Sequence, residues 1–238
     1  MQFFSRFSLY ALLFVIVAAC SSQQDTQSAQ QTSTADTTQL TSSDTATQNE
    51  EAKPTILFFG NSLTAGYGLD PDQAFPALIQ EKLDSLGYDY QVINAGLSGE
   101  TTASGNTRLD WVLERQPVDI FILELGGNDG LRGINPEETQ RNLEAMIEKI
   151  RAVDPEIEII LAGMEAPPNM GPDFTSQFRQ VFKDVAQKKN VSLIPFLLEG
   201  VAGEAELNLP DGIHPTPKGH QIVSETVWEV LKEKIEVS

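Results

Sequence analysis

From Thr55 onward, short apolar runs rich in Ile, Val and Phe alternate with longer segments whose apolar residues recur at helical spacing. Few folds accommodate that order. Thr55–Phe59, Tyr90–Asn94, Asp119–Leu125, Ile157–Ala162 and Val191–Pro195 read as five short strands. Gln73–Leu86, Thr101–Arg115, Pro136–Ala152 and Phe174–Lys189 read as the helices between them. A last helix follows Thr216, an N-cap with Pro217 in the first turn, and runs to about Ile235. Strands that are apolar throughout need cover on both faces, so the pattern predicts an α/β fold built on a five-stranded parallel sheet. No internal repeat divides the region, and residues 54–238 read as one domain.

The first 53 residues have a different character. Arg6 is the lone charge before Cys20, and Phe7 to Val17 is almost wholly apolar, too short to span a bilayer comfortably. That layout is a secretory signal. Val17-Ala18-Ala19-Cys20 resembles the lipobox of bacterial lipoproteins, which implies cleavage of residues 1–19 and lipidation of Cys20. The alternative is an ordinary signal peptide with an incidental cysteine, but Cys20 is the chain's one cysteine and lies where a lipobox needs it. Residues 20–53 are rich in Ser, Thr, Gln, Asp and Ala, cannot offset their ordering entropy by burial, and read as a lipid-anchored disordered tether. Serine directly after Cys20 resembles outer-membrane sorting, which places the expected lipoprotein in a Gram-negative cell envelope. Membrane association is thus expected through the anchor only.

The domain contains no cysteine, which removes disulfides and thiolate metal sites. A formal net charge of −18 argues against binding nucleic-acid phosphates.

In parallel α/β sheets, sites form outside the carboxyl ends of the strands. Gly60-Asn61-Ser62 follows the first strand, Ala95 to Gly99 the second, and Gly126-Gly127-Asn128-Asp129 the third. Asp211-Gly212-Ile213-His214-Pro215 lies in the loop before the last helix. A serine hydroxyl needs a base within hydrogen-bonding reach, and the base needs a carboxylate to fix its tautomer. Asp211 and His214, three residues apart, can serve one serine, Ser62; alone, the pair could equally be a turn aspartate and a histidine preceding a helix. Acyl transfer also needs oxyanion donors, and the Asn128 amide with the backbone N–H groups of Gly99 and Ser62 are candidates. Each glycine-rich segment alone could be only a tight turn. His220 reads as a packing or capping residue, and Asp129 as a loop brace.

Together these segments resemble the SGNH/GDSL hydrolase family, in its block order. Leu123 to Gly133 and Asp211 to Pro215 are closest to bacterial thioesterase/lysophospholipase and arylesterase members. The resemblance implies a three-layer, flavodoxin-like α/β/α fold, a Ser62–His214–Asp211 triad, and an oxyanion hole from Ser62, Gly99 and Asn128. It implies an esterase or thioesterase acting through an acyl-enzyme on a small-molecule ester or lysolipid, with no cofactor and no metal. A Gly-x-Ser-x-Gly elbow is absent around Ser62, unlike the larger α/β-hydrolases. Asn61 stands where the family usually has aspartate, a change expected to alter rate or pH profile at most. Met164 to Gly171 corresponds to an acyl-pocket segment; Ala166, where a larger aliphatic residue is common, and its neighbour Pro167 are expected to line the pocket. Leu131, in an expected mobile rim over Gly130–Asn135, is expected to line it too. A carbohydrate-ester deacetylase and a non-catalytic binding lipoprotein are the alternative functions.

Overall fold

Phe58 and Phe59 are consecutive in the first strand and point to opposite faces of the sheet. Each meets a different helix, so they define the layers of the fold. The computed structural model describes residues 53–235; the expected signal, lipidated Cys20 and tether all lie outside the described residues. Within them, β1 (Thr55–Gly60), β2 (Gln91–Gly96), β3 (Ile120–Glu124), β4 (Glu158–Ala162) and β5 (Ser192–Ile194) form one parallel sheet in the order β2-β1-β3-β4-β5.

Helix α2 (Phe75–Leu86) covers one face, where the Phe75 ring packs edge-on against Phe58. Helix α3 (Thr102–Leu113) covers the other, where the Arg108 guanidinium lies over Phe59. Helices α5 (Pro136–Val153) and α6 (Pro172–Lys189) extend the α3 layer, and α7 (Pro217–Leu231) packs beside α2. Two shorter helices, α1 (Ser62–Ala65) and α4 (Gly127–Arg132), start directly after β1 and β3. The expected three-layer α/β/α arrangement around five parallel strands is the observed one.

Burial follows position in the sheet. Every residue of β1 and β3 is buried, as central parallel strands require. Edge strand β2 is partly exposed along its length.

Most element ends shift from expectation by one or two residues, and two features differ further. The last helix stops at Leu231, short of Ile235. The expected rim over residues 130–135 is helical in its first half, because α4 runs to Arg132 and is tied down from inside. Asp129 is buried within it and accepts hydrogen bonds from the Thr102 N–H and hydroxyl, and Gly130 lies against the Phe178 ring. The helical half of the rim is therefore braced against the core.

Candidate active site

Ser62 is the first residue of α1, so the chain turns from strand to helix at the candidate nucleophile itself. Asn61 is the N-cap, its Oδ1 accepting the Leu63 N–H at 2.9 Å. With that donor satisfied, the Ser62 N–H remains without an intrahelical acceptor.

The loop before α7 is shaped by one aspartate. Asp211 Oδ1 accepts the N–H groups of Ile213 and His214 at 2.9 and 3.0 Å, and Gly212 takes a left-handed φ of 70° to make the turn. Leu209 N–H donates to His214 O at 2.7 Å, so the turn closes on itself. Asn208 Nδ2 anchors its base by donating to the carbonyls of Val201 and Glu204.

The turn leaves Asp211 Oδ2 facing His214 Nδ1 at 2.7 Å, while His214 Nε2 lies 2.8 Å from Ser62 Oγ. A carboxylate can only accept, so Nδ1 carries the proton and Nε2 accepts from the Ser62 hydroxyl. Asp211 is held down to about 2, first by the hydrogen bond from the His214 ring, then by the two backbone N–H groups. It is therefore ionised at any pH near neutrality. The Tyr67 ring flanks His214, with centroids 4.5 Å apart.

Ser62 and His214 border a cavity of about 650 Å³. The other expected site residues, Gly99, Asn128, Leu131, Ala166 and Pro167, line the same cavity. Asn128 Nδ2 donates one hydrogen to the Glu100 carbonyl at 3.0 Å, which orients the amide and leaves its second hydrogen. Gly99 has a left-handed φ of 82°, and its carbonyl accepts from Arg132 Nη2 at 3.1 Å. Met164, Phe196, Leu198 and Ile213 give the walls an apolar surface. His220, by contrast, is buried in α7 and its Nδ1 accepts the Phe75 N–H at 3.1 Å. It belongs to the core, as its position within the helix suggested.

A model of the GDSL-like lipase/acylhydrolase family matches residues 58–222. The chain belongs to that family. It is 42% identical over 183 residues to the esterase TesA of Pseudomonas aeruginosa, covering 77% of this chain and 90% of the relative. It is 35% identical over 181 residues to an arylesterase of Vibrio mimicus, covering 76% and 90%. The structure is similar to that of the psychrotrophic esterase EstA of a Pseudoalteromonas species, solved as inhibited by monoethylphosphonate. Here the TM-score is 0.72 at 33% identity, over 76% of this chain and 98% of that one. The chain is accordingly a carboxylic ester hydrolase of the GDSL type.

Two features of this GDSL-family site escaped the sequence reading. Tyr67 was not singled out, although it lines the cavity and covers the imidazole. Glu124 lies within the Leu123–Gly133 segment without a role assigned to it; its signal is a lone carboxylate at the end of an otherwise apolar strand.

Proposed function

We propose that the protein is a serine esterase or thioesterase working through an acyl-enzyme on Ser62. The observation that carries this reading is the unbroken line Asp211 Oδ2–His214–Ser62 Oγ, at 2.7 and 2.8 Å, opening on an apolar-walled cavity. As His214 Nε2 takes the hydroxyl proton, Ser62 Oγ bonds to the substrate carbonyl carbon, and the carbonyl electrons move onto its oxygen. Ser62 N–H, Gly99 N–H and the spare Asn128 hydrogen are the donors for that oxyanion. Collapse of the tetrahedral species expels the alkoxide or thiolate, which leaves with the proton from His214. Water then attacks the acyl-Ser62 ester, giving its proton to His214, and the carboxylic acid departs as Ser62 recovers its hydrogen. Asp211 keeps its charge throughout, orienting His214 and stabilising the imidazolium.

Leu131, Met164, Ala166, Phe196 and Leu198 suit an acyl chain or aryl group better than a hydroxyl-rich sugar, which favours the esterase reading over deacetylation. The formed triad geometry likewise favours an enzyme over a binding module. The Val17–Cys20 segment supports a further reading, in which a lipid anchor and tether hold the domain at the cell envelope.

The test is active-site labelling. A fluorophosphonate should modify the wild-type protein once, at Ser62, and Ser62→Ala should neither label nor hydrolyse p-nitrophenyl butyrate. Hydrolysis at the wild-type rate by Ser62→Ala would rule the mechanism out.

A further inference from the structure

Glu124, the last residue of β3, is fully buried, and no step of the proposed reaction uses it. Both of its oxygens are engaged by the segment that carries the nucleophile. Oε1 accepts from Asn61 Nδ2 at 2.8 Å, and Oε2 accepts from the Asn61 N–H at 3.1 Å and from the Thr64 hydroxyl at 2.8 Å. Asn61 precedes Ser62 and Thr64 follows it by two residues, so one carboxylate grips the α1 turn on both sides of the nucleophile.

The grip fixes the Asn61 amide. With Nδ2 committed to Glu124, Oδ1 faces the other way, capping α1 through Leu63 N–H and lying 3.5 Å from Ser62 Oγ. Gly60 makes the approach possible. A Cβ at that position would lie 2.5 Å from Glu124 Oε2 and 2.1 Å from Thr64 Oγ1.

The arrangement suits an ionised carboxylate, because donors from both Asn61 and Thr64 converge on its two acceptor oxygens. A protonated Glu124 would add a hydrogen needing an acceptor, and the Asn61 N–H and NH₂ groups can only donate there. Thr64 would have to give up its own donation to receive it. Burial pushes the Glu124 carboxyl up to about 7, with hydrogen bonds from Thr64 and Asn61 drawing it back part of the way. The groups facing it are neutral: Asn61 and Thr64 from α1 and its cap, and the backbone of Gly60 from β1. No charged side chain contributes to the balance.

We propose that Glu124 is a positioning residue for the nucleophile, its ionised carboxylate holding the Asn61–Thr64 turn in the form that presents Ser62 to His214. Esterolysis then depends on the charge of Glu124 as well as on the Asp211–His214–Ser62 line. The proposal rests on Ser62 being the nucleophile.

Thr64→Val tests it, since valine keeps the shape, removes one donor to Glu124 and leaves the His214–Asp211 pair untouched. The acid limb of kcat for p-nitrophenyl butyrate should move to higher pH by roughly half a unit or more, as expected for losing one hydrogen bond to the charged form. Glu124→Gln brings an NH₂ group against the donors of Asn61 and Thr64 and should lower kcat about tenfold or more above the acid limb, mostly without a change in KM. Difference infrared spectra of the whole domain should show a protonated carboxyl that titrates with the acid limb in wild type, at higher pH in Thr64→Val. An acid limb that stays in place in Thr64→Val overturns the proposal. So does the absence of a carboxyl titrating with kcat, or a Glu124→Gln enzyme at the wild-type rate. Should Glu124→Gln fail to fold, the Thr64→Val profile and its infrared band still decide. Failure of the underlying reading is distinguishable, because it would appear as ester hydrolysis surviving in Ser62→Ala.

Discussion

The two histidines lie six residues apart and have opposite surroundings. His214 sits on a loop at the cavity, each ring nitrogen paired with a different partner, Asp211 on one side and Ser62 on the other. His220 is 1% exposed and pairs one nitrogen with a backbone N–H of α2. Burial pulls it down to about 4, with a smaller push from His214, so it stays neutral wherever the domain is folded near neutrality. What separates the proposed base from a structural imidazole here is access to the cavity together with a carboxylate on the far nitrogen. Residue type says nothing of it.

Removing each imidazole should break the molecule in a different way. His214→Ala deletes the proposed proton acceptor and should lower kcat by about 10⁴-fold or more, with Tm nearly unchanged. Asp211→Asn is the next largest effect. An amide opposite Nδ1 can present a donor where an acceptor is needed, favouring the wrong tautomer, so kcat should fall about 10³-fold or more. Normal rates in Asp211→Asn would show that the His214 orientation is set by Tyr67 and the loop alone. Because Asp211 is held down to about 2, its pairing persists above the ordinary aspartate range and is lost only as pH falls towards 2.

His220→Leu is the converse experiment. It leaves the buried Phe75 N–H without an acceptor, at a cost of about 1–3 kcal/mol, and should lower Tm by several degrees while sparing kcat. Its pH dependence is sharper still. His220 titrates near 6.5 when unfolded and about 4 when folded, so its contribution is complete above 6.5 and lost as pH falls towards 4. Glu124 runs the other way: ordinarily near 4.5 and about 7 when folded, it contributes fully below 4.5 and loses that stability as pH rises through 7. Each term is worth about 3 kcal/mol, and over the shared window their slopes oppose. Wild-type Tm should therefore change little between about pH 4.5 and 6.5. Without the His220 term, Tm of His220→Leu should decline with rising pH across that window. A parallel flat profile in both proteins would remove the claim that these two groups offset one another.

The same contrast explains what could be read before the structure. Asp211 and His214 are three residues apart on one turn, so their partnership is local and visible in sequence. The central strands were legible because β1 and β3 carry unbroken apolar runs, Ile56–Phe59 and Ile120–Leu123. Helices α1 and α4 were missed because four and six residues are too few to show a 3.6-residue period. Glu124 was missed for a different reason. Its partners Asn61 and Thr64 lie 63 and 60 residues earlier, and only the β1–β3 register, which pairs Gly60 with Glu124, brings them together. Local chemistry is written in spacing, whereas chemistry across the sheet is written in register.

Ala166 marks the boundary of the comparison, since it is 7% exposed yet lines the cavity. If access to the cavity defines function, even this buried position should govern specificity. Leucine adds three carbons beside Leu131 and Met164, filling space that an acyl or aryl group would otherwise take. Acetate esters should be hydrolysed by Ala166→Leu at close to the wild-type kcat/KM. Longer p-nitrophenyl esters should lose about tenfold, since one or two methylenes displaced from an apolar pocket are worth roughly 1–3 kcal/mol. Identical chain-length profiles for the two proteins would mean that the acyl group binds elsewhere in the cavity, beyond the reach of this side chain.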